Sequence, residues 1–328
     1  MNKPNKVRWA ILGCGEIANH FANDFKALKN AELIAVASRD ARRASAFSNQ
    51  YNIPYAFTYD ELYNSNQVDA VYIATTHNFH YEQSLACMQH GKAVLCEKPI
   101  TVNDTEFKKL ASFAKEKQVF LMEAMWTYFL PALNKAKEWI AEGRIGSIKM
   151  IQADFGFYSE YKPLGRLYNP LMAGGALLDI GIYPIAFTLF FLNRIPDEVK
   201  VSAIIGDSKV DEFIWIIFNY GDASALLFSS IRFNSLNKGV ITGDKGSIEL
   251  PIFYKARSAQ LYDTKHQLVE SFTDERSTIG YNFEIQEATD CILNGSFESK
   301  IITHARSNEL QEIMTDIRRK IKLKYPME

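Results

Sequence analysis

The stretch Val7-Arg8-Trp9-Ala10-Ile11-Leu12-Gly13-Cys14-Gly15-Glu16-Ile17-Ala18 decides how this chain folds. An apolar run from Trp9 to Leu12 breaks at Gly13, passes Gly15 and reaches the small residue Ala18 as a helical pattern begins. In such a strand–turn–helix, the first glycine permits the tight turn and the second admits a pyrophosphate close to the backbone. The third small residue lets the helix pack tightly on the strand. Free N–H groups in the first helical turn, at Glu16, Ile17 and Ala18, then face the anion. The Gly-x-Gly-x-x-Ala spacing says little by itself; set between a strand-like and a helix-like run, it predicts a dinucleotide-binding fold. Cys14 reads as a small turn residue in preference to a thiol activated by the helix N-terminus.

Outward from this turn, strand and helix patterns alternate. Strands are predicted at 32–37, around Tyr55–Phe57, and at 69–74, 93–96 and 119–122. Helices fall at 40–50, near Glu61, at 80–90 and at 104–117. This βαβ rhythm predicts an α/β, doubly wound, parallel Rossmann sheet over residues 1–125. After about residue 125 the pattern changes. A helix at about 130–142 ends at Gly143, and extended segments follow at 147–157, 199–206, 211–220, 223–233, 238–242 and 247–253. Turn signals at Tyr-Gly-Asp (220–222) and Gly-Asp-Lys-Gly (243–246) imply antiparallel neighbours. Residues 126–328 are therefore expected to form an α+β domain with an open, mainly antiparallel sheet, closed by helices at 280–294 and 304–323. With no repeats and no low-complexity linker, the two domains are expected to pack closely around a cleft.

Composition narrows the function classes. A length of 328 residues suits two domains, and 47% hydrophobic with 23% charged residues is ordinary for a soluble globular protein. A formal net charge of −1 gives no electrostatic reason to bind nucleic acid or an anionic membrane. The basic cluster Arg318, Arg319, Lys320, Lys322 and Lys324 reads as the solvated end of a C-terminal helix. The four cysteines, Cys14, Cys87, Cys96 and Cys291, show no paired spacing, so a reduced, cytoplasmic protein is expected. The first apolar run is too short for a secretory signal. In the apolar run between Arg166 and Arg194, Asp, Asn, two adjacent glycines and Pro argue against a membrane span.

In a doubly wound sheet, ligands bind beyond the carboxyl ends of the strands. The second predicted strand ends in Ser38-Arg39-Asp40. Ser38 and Arg39 suit a 2′-phosphate, Arg42 or Arg43 adds a second charge one turn on, and NADP is favoured. NAD stays open because Asp40 could serve a ribose hydroxyl, with Arg39 then a solvated loop residue. The predicted strand 69–74 ends in Thr75-Thr76-His77-Asn78-Phe79-His80. The hydroxyl of Thr75 and the imidazoles of His77 and His80 are expected to line a nicotinamide ribose. No third ligand accompanies the His-x-x-His pair at a metal-binding spacing, so no metal is expected. The strand 93–96 ends in Glu97-Lys98-Pro99. The proline biases Lys98 to an extended conformation that projects its ammonium from the sheet tip, where it can stabilise developing negative charge. A surface loop charge is the plain alternative.

Residues 174–184 read Gly-Gly-Ala-Leu-Leu-Asp-Ile-Gly-Ile-Tyr-Pro, and Asp179 is the one charged side chain between Arg166 and Arg194. A carboxylate in so apolar a run needs a partner, for which Lys98 is a candidate. Tyr183, four residues on, shares its helix face. A phenol near a lysine can have its pKa lowered and exchange a proton with a substrate hydroxyl; otherwise it is a core tyrosine tied to backbone. Pro184 lacks an N–H and is expected to perturb the helix here.

The Gly13–Ala18 turn, the Glu97-Lys98-Pro99 tripeptide and the Gly-Gly-Ala-Leu-Leu-Asp-Ile-Gly-Ile-Tyr run, in this order, resemble the Gfo/Idh/MocA oxidoreductase family. Within it they resemble the branch of dimeric dihydrodiol dehydrogenases and NADP-dependent D-xylose dehydrogenases. Met125-Trp126-Thr127 and Gly280-Tyr281-Asn282-Phe283-Glu284 fit that branch too, so the resemblance runs nearly end to end; Tyr128 departs from the arginine much of the branch carries there. The resemblance implies that Lys98 assists proton transfer, that Tyr183 is the acid/base and that Asp179 is its partner. It also implies that Trp126, Phe157 and Phe283 wall the substrate pocket, and that a homodimer forms through the C-terminal sheet.

The expected activity is hydride transfer between a nicotinamide and a secondary alcohol or carbonyl of a sugar, polyol or cyclic diol. The alternative is a non-catalytic regulatory protein that senses NADP(H), since a fold alone does not exclude one. The set Lys98, Asp179 and Tyr183 argues for the enzyme.

Overall fold

Short apolar runs separated by amphipathic helices give the first part of the chain a parallel sheet. In the computed structural model, which describes residues 6–328, this sheet has six strands. They are β1 (Val7–Leu12), β2 (Ala31–Ala37), β3 (Tyr55–Phe57), β4 (Ala70–Ile73), β5 (Ala93–Glu97) and β6 (Leu121–Ala124). The order is β3-β2-β1-β4-β5-β6, and each neighbouring pair is parallel. The order reverses beside β1, which is where doubly wound sheets bind ligands. Helices α1 (Glu16–Phe25), α2 (Ala41–Tyr51), α3 (Tyr59–Asn64), α4 (His80–Gln89) and α5 (Asp104–Lys117) connect the strands. Alternate strand residues face opposite sides. Leu12, Val71, Ile73, Val94 and Cys96 share a core with Cys87 and Met88 of α4 and Phe107 and Leu110 of α5. On the other side Tyr72 of β4 stacks on Phe21 of α1 at 3.8 Å between ring centroids.

The second sheet has eight strands: β7 (Ile148–Gly156), β8 (Glu198–Ile205), β9 (Asp211–Asn219), β10 (Ser224–Ser230), β11 (Gly239–Gly243), β12 (Gly246–Leu250), β13 (Ser258–Asp263) and β14 (Leu268–Thr273). Their order is β14-β13-β12-β11-β7-β10-β9-β8. All pairs are antiparallel except β7 with β10. Helix α6 (Pro131–Ala141) packs near β12–β14 and α7 (Ile182–Leu192) on β7 and β10. Ile214, Ile216 and Phe218 of β9 point into this core, while Trp215 and Ile217 alternate outward. The stretch Pro170–Leu192 is long and apolar enough to cross a membrane by composition, but 94% of its apolar window is buried, as in a core helix.

The chain forms two compact units. One runs to Trp126 and takes in Ser277–Asn308; the other comprises Thr127–Arg276 and Glu309–Glu328. A single cut at 125/126 therefore differs from the way the chain packs, and the reason lies in the uncovered side of the first sheet. Helix α8 (Tyr281–Leu293) covers it: Trp9 Nε1 donates to Thr289 Oγ1 at 3.1 Å. The buried Asp24 carboxylate of α1 accepts the backbone N–H groups of Ile279, Gly280 and Tyr281 at 3.1, 2.8 and 2.9 Å, tying down the N-terminus of α8. The last helix, α9 (His304–Lys320), ends in the basic cluster. Arg318 is not a solvated cation there: it is buried, over the ring of Tyr325 and paired with both carboxylate oxygens of Glu328 at 2.5 and 2.8 Å. The extended segments read from sequence stop at 253, and β13 and β14 complete the sheet beyond them.

Candidate active site

At the carboxyl end of β1 the backbone turns through Gly13 with φ +108°, a conformation that L side chains rarely adopt. A Cβ there would lie 2.7 Å from the Ala74 carbonyl oxygen, so the β1 and β4 ends approach as closely as only glycine allows. Gly15 caps α1 and supplies no side-chain acceptor, in contrast to Asp40, Thr58 and Asn103, which cap α2, α3 and α5. The first-turn amides of α1, at Glu16, Ile17 and Ala18, therefore have no side-chain cap, as at helix N-termini that receive anions. Ala18 is fully buried, as close helix–strand packing requires.

Positive charge gathers beside this turn. Arg43 Nη2 donates to the Cys14 carbonyl at 2.9 Å, and the Arg39 guanidinium lies 5.0 Å from the Phe79 ring centre. Ser38 is buried, its Oγ accepting the Asp40 N–H at 3.2 Å. The Asp40 carboxylate accepts the Arg42 N–H at 2.9 Å as the cap of α2. Burial pushes the Cys14 thiol up, against the lowering effect of Arg43, which suits a turn residue and not a thiolate. The turn and its arginines fit a pyrophosphate-bearing dinucleotide.

Beyond β4, Thr75 Oγ1 donates to Gln83 Oε1 at 2.6 Å, and His77 opens a 3₁₀ turn, His77–Phe79. His80 is wholly buried. Its Nδ1 lies 2.8 Å from the Pro99 carbonyl and its Nε2 3.2 Å from the Thr75 carbonyl. Burial lowers its pKa. In that position His80 braces the two loops carrying Thr75 and Lys98, instead of presenting its ring at their surface. Glu97 is buried too, its carboxylate accepting the Tyr72 hydroxyl and, at 3.2 Å, the Lys98 N–H. Lys98, half-buried, leaves the tip of β5 ahead of Pro99. Trp126 stacks on Tyr281 at 4.8 Å in the same unit, and Phe283 lies half-buried in the first turn of α8.

In the second unit Asp179 and Tyr183 lie on one continuous helical stretch with a fault in it. Residues Leu177–Gly181 form a π turn, and α7 follows. Pro184 has no N–H for the Ile180 carbonyl and its ring crowds that oxygen, so a wider turn just before it is the expected accommodation. The buried Asp179 carboxylate accepts Arg166 Nη1 at 2.7 Å and Nη2 at 3.4 Å. Tyr183 is 8% exposed, among Phe155 and Tyr254 with ring centroids 5.5 and 5.9 Å away. Phe157, half-buried, continues from β7. Tyr128 donates to the Ala186 carbonyl at 2.8 Å and so braces α7.

Arg166 and Tyr254 escaped the sequence reading. Neither shares an element with Asp179 or Tyr183, and no helical or strand spacing links them. Asp211 escaped it as well: its Oδ2 accepts the Leu177 N–H at 2.6 Å and caps the π turn. Among the described residues no group of three or more His, Cys, Asp or Glu side chains could hold a metal ion.

Residues 7–125 match the model of an oxidoreductase family with an NAD-binding Rossmann fold, and residues 133–249 match the Gfo/Idh/MocA C-terminal domain. The chain is 33% identical to trans-1,2-dihydrobenzene-1,2-diol dehydrogenase from Xenopus laevis and 32% identical to that from Mus musculus. Each match covers 98% of this chain and 99% of the relative. Among solved structures, an aldose-aldose oxidoreductase from Caulobacter crescentus shares the fold with TM-score 0.87 at 22% identity, over 97% of this chain and 98% of that one. A 3-ketoreductase from Actinomadura kijaniata, crystallised with NADP and TDP-benzene, shares it with TM-score 0.85 at 23% identity, over 96% and 98%. A glycine turn made for a dinucleotide, an eight-stranded second sheet and end-to-end similarity agree: the chain belongs to the Gfo/Idh/MocA family of NAD(P)-binding oxidoreductases.

Proposed function

We propose that this oxidoreductase uses NADP to interconvert a secondary alcohol and its carbonyl on a sugar, polyol or cyclic diol. Tyr183 exchanges the hydroxyl proton and Lys98 assists it. The observation that carries the reading is that a phenol and a carboxylate, both buried, stand four residues apart on the faulted helix of the second unit. A regulatory protein that only senses the cofactor has no use for it. The names of the relatives, diol dehydrogenase and aldose oxidoreductase, support the substrate class.

The nicotinamide, when bound, supplies the hydride acceptor or donor. The protein's own groups handle the proton. Tyr183 Oη takes it from the substrate hydroxyl during oxidation and returns it during reduction. The Lys98 ammonium stabilises the phenolate that results. Asp179, held by Arg166, balances that positive charge and fixes the orientation of the helix carrying the phenol. Thr75 and His77 are assigned to the ribose, with Glu97 and His80 bracing the loops around it. Trp126, Phe157 and Phe283 are assigned to the walls of the substrate site, where flat rings suit the apolar face of a sugar or an arene. Arg39 and Arg43 favour a 2′-phosphate, and the capping duty of Asp40 leaves its carboxylate occupied. The protein is read as a homodimer through the outer face of the second sheet.

A panel of sugars and diols, followed by nicotinamide absorbance with NADP and with NAD, tests the reading. Turnover that is lost in Lys98→Ala and Tyr183→Phe while cofactor binding persists is expected. Cofactor binding with no turnover on any substrate would leave the sensor.

A further inference from the structure

The first unit buries a carboxylic acid that the proposed reaction does not use. Glu284, one turn into α8, has no exposed surface, and neither of its carboxylate oxygens has a hydrogen-bond partner. Burial without a donor favours the protonated form of such a group, and nearby negative charge strengthens that preference. Both causes act here: burial pushes the Glu284 carboxyl well up, and Glu97 and Asp24 add to it.

The surroundings show which acid of the cluster keeps its charge. Asp24 of α1 receives three backbone N–H groups. Glu97, the last residue of β5, receives the Tyr72 hydroxyl of β4 and the Lys98 N–H. Donors of this kind stabilise a carboxylate, and Glu284 has none. Tyr281 on α8 itself and His20 on α1, whose rings lie 6.1 Å apart, are further titratable groups on these two helices, which also carry Glu16 on α1 and Glu287, Asp290 and Cys291 farther along α8. Tyr72 is held protonated by burial and by Glu97. Like charges buried together do not all ionise, so the proton rests on the acid with no donor.

Glu284 lies within electrostatic reach of Glu97 at the tip of β5, and in a doubly wound sheet the nicotinamide half of the cofactor binds beyond the strands on that side of the order reversal. We propose that Glu284 makes the protein distinguish the oxidised from the reduced cofactor: the cationic ring of NADP⁺ draws the proton off Glu284, and the neutral ring of NADPH leaves it in place. The O–H bond of the acid breaks, its electron pair stays on the carboxylate, the proton passes to solvent, and nothing is oxidised. The inference rests on the first unit binding a nicotinamide cofactor; it needs neither Tyr183 chemistry nor a known substrate.

Calorimetric titration in buffers of different ionisation enthalpy counts protons released on binding. The 2′-phosphate is common to both cofactors and cancels in their difference. Wild-type protein is expected to release up to about one proton more with NADP⁺ than with NADPH, and its affinity for NADP⁺ relative to NADPH to rise with pH, at most about tenfold per unit. In Glu284→Gln the difference should vanish while both cofactors still bind; in Tyr183→Phe it should persist. Equal proton counts in the wild type, an unchanged difference in Glu284→Gln, or its loss in Tyr183→Phe would each overturn the proposal. Should Glu284→Gln fail to fold, Glu284→Met, which fills similar space with no proton to lose, takes its place with the same outcomes. Because the test reads binding alone, its failure is separate from any failure of the Lys98–Tyr183 reading, which turnover decides.

Discussion

The proposed assignment of Arg39 and Arg43 to a 2′-phosphate is tested at the scale of single residues. Each charge-assisted hydrogen bond to a phosphate contributes about 1.5–3 kcal/mol. Replacing both arginines by alanine is therefore expected to weaken NADP binding by at least about tenfold and to leave NAD within about twofold, as fluorescence titration would show. Equal losses for both cofactors would place the arginines elsewhere than at the 2′-phosphate. At this scale the sequence was legible in where residues fall along a strand–turn–helix. Gly13, Arg39 and Lys98 stand just beyond strands that the apolar pattern locates, and Gly15 and Ala18 stand where α1 begins. It was illegible where partners meet through the fold. Arg166, thirteen residues upstream in irregular chain, pairs with Asp179, and no helical or strand spacing nominates it. His80 reads as a ligand-facing imidazole until burial shows it tied between two carbonyls.

Among the elements, the π turn Leu177–Gly181 bears most directly on the proposed function, because it sets the phase of Asp179 against Tyr183. Pro184 announces a fault, but a missing N–H alone does not distinguish a kink, a break and a wide turn. Its far anchor, Asp211, comes from β9 and is buried against the backbone of Gly175, whose φ of +116° leaves no room for a side chain: a Cβ would sit 2.1 Å from Asp211 Oδ1. Burial pushes the Asp211 carboxyl up to about 7 in the folded protein, against the lowering effect of the Leu177 N–H. The folded chain then holds a proton that the unfolded chain releases near pH 4. This group's contribution to stability is full at about pH 4 and below and is withdrawn as pH rises towards 7. Asp211→Asn keeps the acceptor for Leu177 and removes the titration. Denaturant unfolding from pH 4 to 8 should show the variant gaining on the wild type as pH rises, by an amount on the order of a few kcal/mol. A difference that stays flat with pH would contradict the assignment.

For the molecule as a whole, the second sheet carries an apolar outer face. Trp215 and Ile217 are each 42% exposed on β9, opposite Phe228 and the exposed Leu226 of β10. A homodimer through this face predicts that Trp215→Arg with Ile217→Arg yields a soluble monomer by light scattering, with its fold intact by circular dichroism. A wild type that is monomeric at micromolar concentration would contradict it. The alternation of β9 and β10 makes this face readable from sequence, whereas the return of α8 to the first unit is not, since helical periodicity does not say which sheet a helix covers. The proposed function has Lys98 and Tyr183 act on one proton, and a double-mutant cycle on kcat/KM measures it. Groups that work as a unit are not additive. Lys98→Ala with Tyr183→Phe is expected to be about as impaired as the worse single variant, with cofactor affinity kept; a double variant whose loss equals the product of the two single losses would contradict the account.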